Sequence, residues 1–202
     1  MTYDAILFDF DGVLADTEPV HFAAWREVLR PFGIELDWDT YRARGMGRPD
    51  LALLESLGAL ADPPVGLEVL EPVLPDKRKR FVELALKIQP LSPAIVELIK
   101  SLADYKLAIV TSSDRSELEP LLTTAGVSGC FEALVCGRDA PHPKPAPDPY
   151  LLAADLLRAR RPLVVEDSEA GVASGRAAGF EVVRIASTAE TPAGVLAALE
   201  RY

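Results

Sequence analysis

The sequence predicts an α/β fold, a doubly wound parallel sheet with an inserted all-helical domain, and three observations carry that reading. A single apolar run, Ala5-Ile6-Leu7-Phe8, stands near the amino end. A long block with helical spacing and no strand pattern follows it. From about residue 90 onwards, short runs of branched residues alternate with helical segments, the signature of a parallel sheet covered on both faces.

At 202 residues the chain exceeds a typical single-domain length, so one domain carrying a sizeable insertion is the natural expectation. Composition is ordinary for a soluble protein, 49% hydrophobic and 26% charged, and no apolar run approaches membrane-spanning length. Asp4, Asp9 and Asp11 come too early for an export signal, so a cytoplasmic location is expected. The formal net charge of -10 argues against non-specific binding to nucleic acid or an anionic membrane. No obligate protein partner is evident, and an anionic ligand must be met by local groups. Cys130 and Cys136 fall on a predicted strand, and with only His21 and His142 beside them no zinc-ligand spacing exists. Buried free thiols are expected.

Ala5–Phe8 reads as a buried strand, and Gly12 supplies the backbone freedom to turn the chain out of the sheet. Asp16 or Thr17 can cap the next helix, whose first turn tolerates Pro19, with Val20, Ala24, Val28 and Phe32 near helical spacing and Gly33 as its stop. Three further helical stretches follow, 38–44, 50–57 and 67–86. The insert is expected to span 16–90, and the sheet domain 1–15 with 91–202. In the latter, helices are predicted at 93–103, 114–125, 147–158, 169–178 and 191–200. The strands between them, 107–110, 133–135, 163–165 and 182–185, are short and branched, as fully buried strands are. Gly171, Gly175 and Gly179 recur every four residues and read as close packing of a helix on the sheet.

Sites in doubly wound sheets form at the carboxyl ends of strands. The first strand ends in Asp9 and Asp11, carboxylates that period-two geometry sends to the same side and that call for a cation or a proton between them, a hard divalent cation being the obvious partner. The strand at 107–110 runs into Thr111-Ser112-Ser113, that at 163–165 into Glu166-Asp167, and Lys144 arrives on a proline-stiffened loop. Carboxylates for a hard metal, hydroxyls and N–H groups for anionic oxygens, and a lysine as point charge together describe a phosphoryl-transfer site.

Asp9-Phe10-Asp11-Gly12-Val13-Leu14, Thr111-Ser112, Lys144-Pro145 and Glu166-Asp167 resemble, in order, the four motifs of the haloacid-dehalogenase-like superfamily, over nearly the whole chain. Asp16-Thr17, His21, Trp25 and Gly45-Met46-Gly47-Arg48 are similar to its β-phosphoglucomutase-like branch, with a Rossmann-like core and a helical cap. The resemblance implies Asp9 as nucleophile, Asp11 as general acid and then base, and Mg2+ at Asp9, Asp11 and Asp167 with Glu166 beside them. It implies phosphate contacts from Thr111, Ser112 and Lys144, and cap contacts from His21, Arg48 and Lys77. Trp25 reads as core, while His21 suits a cleft or a packed position equally. Asp114-Arg115 stands where the phosphoglucomutase carries lysine and asparagine, which weakens the case for a bisphosphate.

The expected activity is therefore a Mg2+-dependent phosphatase of small phosphorylated metabolites, sugar phosphates foremost, working through an aspartyl-phosphate. A phosphomutase would share the first half of that mechanism. A dehalogenase would share the nucleophile without needing Asp11, and a non-catalytic binding protein would need neither the acids nor the lysine together.

Overall fold

The computed structural model describes residues 3–46 and 48–200. Gly47, part of the motif assigned to the helical insert, lies outside the described residues. Among those described, five strands, β1 (Ala5–Phe8), β2 (Lys106–Thr111), β3 (Ala133–Cys136), β4 (Pro162–Glu166) and β5 (Glu181–Arg184), form one parallel sheet in the order β3-β2-β1-β4-β5. The chain forms two compact units, one of Met1–Asp16 and Gln89–Tyr202, the other of Thr17–Ile88.

β1 is central, and all four of its side chains are buried. The expectation of complete burial holds for β1, β4 and the run 107–110 of β2 but not for the edge strands. In β5, Glu181 and Arg184 are exposed, which fits an edge that must discourage pairing with another chain. One sheet face, built on Leu7, Ala108, Val110, Val135 and Val164, is covered by Tyr150, Ala153 and Leu157. These come from α8 (Asp148–Leu157), whose apolar residues recur at helical spacing. The other helices of this unit are α6 (Pro93–Ser101), α7 (Arg115–Thr124), α9 (Glu169–Ala177) and α10 (Thr191–Glu200). Ser92 caps α6 through the Ile95 N–H, and Ser168 caps α9 through the Gly171 N–H.

The helical unit contains α1 (Glu18–Leu29), α2 (Trp38–Arg44), α3 (Asp50–Gly58), α4 (Leu67–Leu70) and α5 (Leu74–Ile88). Its core gathers Trp25, Leu29, Leu53, Leu54, Leu57 and Leu70. Thr17 occupies the N-cap position of α1 without a side-chain capping bond, while Asp16 is exposed. A single-turn 3-10 segment, Arg30–Phe32, ends at Gly33 with φ +72°. The helix expected at 67–86 is instead three pieces, α4, a 3-10 turn at Glu71–Val73 and α5. Pro72 lacks the N–H that a continuous helix would use and clashes with the preceding turn, and Pro75 is tolerated because it falls in the first turn of α5.

Cys136 closes β3 and is buried, but Cys130 lies in the 3-10 turn Ser128–Cys130 and is only half-buried; both are free thiols. Among the described residues no helix is long and apolar enough to cross a membrane.

Candidate active site

The loop leaving β1 is a tight, closed turn. Asp9 continues the ladder by donating its N–H to Val165 O at 2.9 Å, and Leu14 and Ala15 both return N–H bonds to Phe10 O. Thr191, the first residue of α10, donates its hydroxyl to Val13 O at 2.8 Å, so the far side of the turn is held as well. Gly12 takes φ +83°, and a Cβ on it would sit 2.3 Å from Asp167 Oδ2. Only glycine admits both that dihedral and the Asp167 carboxylate against its backbone.

Lys144 is the hub. Its Nζ donates to Asp9 Oδ1 at 2.7 Å, to Glu166 Oε1 at 2.6 Å and to Val110 O at 2.9 Å, uniting the carboxyl ends of β1, β2 and β4. Burial works against the charged ammonium, but Asp9 and Glu166 more than offset it and raise its pKa above the ordinary lysine value. Asp9 is itself buried, and desolvation pushes its carboxyl well above the usual range, with Lys144 opposing and Glu166, Asp11 and Asp167 reinforcing. Asp167 is pushed up to about 6 by burial and then by the neighbouring Glu166 charge. Four carboxyl groups thus crowd one ammonium.

Oxygens of Asp9, Glu166 and Asp167 all lie within 4.8 Å of one another. Hard oxygen donors carrying surplus negative charge, with a glycine cradle holding one of them, fit a hard divalent cation such as Mg2+. Glu166 is the member already committed. Its Oε1 accepts from Lys144 and from Tyr150 Oη at 2.8 Å, and its Oε2 accepts from Asp167 N, Ser168 N and Ser168 Oγ at 3.0–3.1 Å. It therefore acts on the cluster by holding Lys144 and the start of α9.

Asp11 Oδ2 accepts from Thr111 Oγ1 at 3.1 Å and from Ser113 Oγ at 2.7 Å. The sequence reading gives Ser113 no role of its own, although it ends the Thr111-Ser112-Ser113 stretch. Ser112 lines a small crevice with Thr111, Cys136 and Lys144. Arg115 beside it raises no nucleophile, because burial pushes the Cys136 thiol up to about 12 against that guanidinium.

Asp114 is the N-cap of α7 in a full capping box, accepting from Ser116 N at 3.0 Å while Glu117 accepts the Asp114 N–H. Arg115 donates to Leu134 O and pairs with Asp139 at 2.8 Å. Both side chains are thus spent within their own unit.

The structure brings Asp9, Asp11, Thr111, Ser112, Lys144, Glu166 and Asp167 together at the carboxyl ends of β1, β2 and β4. His21, Arg48 and Lys77 belong to the helical unit. There Lys77 is 1% exposed, its Nζ 3.1 Å from His21 Nδ1 and 3.4 Å from Asp50 Oδ1, over the Trp25 ring at 4.9 Å. His21 is buried and stacked on Phe81 at 4.0 Å, and since an ammonium only donates, its Nδ1 is the acceptor. Arg48 is exposed, and Trp25 is core.

The three glycines of α9 and its end do different things. Gly175 packs on the sheet, where a Cβ would meet Val182 and Val164 at 2.9 and 3.0 Å. Gly171 instead makes room for the Glu166 carboxyl, and Gly179 takes φ +81° in a turn with open space around it. Close packing on the sheet thus accounts for one of the three.

Comparison with known proteins bears on the fold and the family. A phosphorylated carbohydrates phosphatase of Thermotoga maritima is 33% identical over 180 residues, covering 88% of this chain and 82% of that protein. The fructose-1-phosphate phosphatase YqaB of Escherichia coli is 31% identical over 189 residues, covering 91% and 96%. Among solved structures, a mutant of CbbY of Rhodobacter sphaeroides in complex with xylulose-(1,5)bisphosphate superposes with a TM-score of 0.78 at 27% identity, covering 89% of this chain and 84% of that one. Residues 3–179 match the haloacid dehalogenase-like hydrolase family, and with the sheet order and the clustered carboxylates already in place, the chain belongs to that family.

Proposed function

We propose that this protein is a Mg2+-dependent phosphatase of small phosphorylated metabolites, sugar phosphates foremost, that works through an aspartyl-phosphate on Asp9. The observation that carries the reading is the Lys144 ammonium held between Asp9 and Glu166 beside Asp167, a cationic point inside a carboxylate cluster. The phosphatases of Thermotoga maritima and Escherichia coli noted above support the substrate class.

In this reading Asp9 attacks phosphorus as the bond to the sugar oxygen breaks, and Asp11 delivers a proton to that leaving oxygen. Asp11 then takes a proton from the water that attacks the aspartyl-phosphate, releasing inorganic phosphate and restoring Asp9. Thr111 and the Ser112 N–H hold the phosphoryl oxygens, and Lys144 stabilises the charge developing on them. Asp9, the Asp11 main-chain carbonyl and Asp167 are the groups that would hold Mg2+, which when bound neutralises phosphate charge against the surrounding acids.

Hydrolysis is favoured over mutase chemistry because Asp114 and Arg115 are committed to a helix cap and to Asp139, where a bisphosphate would need a strong second anion site. The test is phosphate release from a panel of sugar monophosphates with and without Mg2+, alongside conversion of β-glucose 1-phosphate primed with β-glucose 1,6-bisphosphate. Mg2+-dependent phosphate release is expected. Rapid bisphosphate-dependent isomerisation with little release would favour the mutase, and no turnover of any ester would favour a binding protein.

A further inference from the structure

Glu166 has no exposure at all, and its Oε1 is shared by two donors from the same stretch of chain, Lys144 Nζ at 2.6 Å and Tyr150 Oη at 2.8 Å. Tyr150 is the third residue of α8, the helix that begins where the Lys144 loop ends. Its ring is fully buried in the sheet-face core with Leu7, Ala108 and Val110, so the phenol is fixed by packing. The same ring lies under the lysine, with Nζ 5.2 Å from its centroid. Tyr150 therefore meets Lys144 twice, once through Glu166 and once through its face.

An ammonium with three acceptors takes its position from how strongly each one pulls. Were Lys144 the sole donor on Glu166 Oε1, the whole of that oxygen's demand would fall on it and draw it from Asp9. The phenol hydrogen satisfies part of that demand.

We infer that Tyr150 is a positioning residue, whose hydroxyl acting through Glu166 and whose ring acting directly keep the Lys144 ammonium aimed at Asp9. Its kinetic consequence rests on the proposed phosphatase reading; its geometric consequence does not. A phenylalanine would keep the ring and the packing while removing the one shared hydrogen bond.

The experiment is Tyr150→Phe in the full chain, read in two ways. The first is the 15N-detected side-chain ammonium resonance of Lys144, assigned by its disappearance in Lys144→Met. The second is kcat and KM for a sugar monophosphate that the wild type hydrolyses. The resonance is expected to shift and broaden, and kcat to fall about tenfold with KM within about twofold, the scale of one hydrogen bond to a charged group. A resonance that stays in place, a moved resonance with wild-type kinetics, or a loss carried by KM alone overturns the inference. If Tyr150→Phe does not fold, 3-fluorotyrosine at position 150 keeps the hydroxyl, and its 19F signal must move on Lys144→Met; an unmoved signal overturns the inference too. If the wild type hydrolyses no phosphate ester, the functional reading fails, and the ammonium resonance still decides the role of Tyr150.

Discussion

Gly171 and Glu166 occupy one another's space: a Cβ built on Gly171 would lie 1.6 Å from Glu166 Oε1. The carboxyl that holds Lys144 can occupy its place only because the first turn of α9 carries no side chain there. Gly171→Ala is therefore expected to displace Glu166, loosen Lys144 and lower both turnover and stability. Overpacking of this kind typically costs ~1–3 kcal/mol. Urea unfolding beside a phosphate-release assay checks it, and wild-type values in both would contradict the arrangement.

Asp11 is expected to transfer protons while Ser113 and Thr111 orient it. Asp11→Asn should slow turnover by ~10²–10⁴-fold, the usual range for general acid–base help. Ser113→Ala should cost less, since Thr111 still donates. Initial rates on one sugar phosphate for the three proteins decide the order, and a larger loss for Ser113→Ala than for Asp11→Asn would reverse the assignment.

Metal removal is expected to abolish turnover, and Asp167→Ala to weaken Mg2+ binding, because the cradle at Gly12 holds that carboxylate beside Asp9. Isothermal titration with Mg2+ measures binding without relying on activity. Equal affinity in the wild type and Asp167→Ala would remove Asp167 from the metal site.

Away from the site, Asp4 accepts the Arg160 and Arg161 N–H groups at 2.8 and 2.9 Å. Although burial acts in the opposite direction, these bonds hold its carboxyl below the usual value. A depressed carboxyl pKa contributes stability that is present above the unfolded value, about 4, and is lost as pH falls through the folded value. Asp4→Ala should accordingly be less stable than the wild type at neutral pH, with the gap closing in acid below about pH 4. A gap that widened on acidification would contradict the sign.

Much of this architecture was legible in local chemistry. α2 spans the predicted Trp38–Arg44, because Asp37 caps it through the Thr40 N–H at 2.7 Å and Gly45 follows its end. The ends of β1, β2 and β4 could be read because their apolar runs break abruptly into Asp9, Thr111 and Glu166. What could not be read depends on neighbours distant in the chain or on competition between signals. Helical spacing across 67–86 masked the break that Pro72 imposes. The exposed ends of β5 follow from its edge position, which no local pattern encodes. The link from Tyr150 to Glu166 crosses from α8 to β4, and in the sequence that tyrosine is indistinguishable from any core aromatic. Ser113 is the exception, since its place next to Thr111-Ser112 at a strand end was signal enough to include it.

Phosphoryl groups are expected to pass through Asp9. Mixing the enzyme with a sugar monophosphate and Mg2+, quenching within milliseconds and reducing with borohydride would convert an acyl phosphate at that position into homoserine, which peptide mass spectrometry locates. Homoserine is expected at position 9 in the wild type, more of it in Asp11→Asn if dephosphorylation is slowed more than phosphorylation, and none in Asp9→Asn, which should also release no phosphate. Steady phosphate release by Asp9→Asn, or wild-type turnover with the modification at another residue, would contradict it.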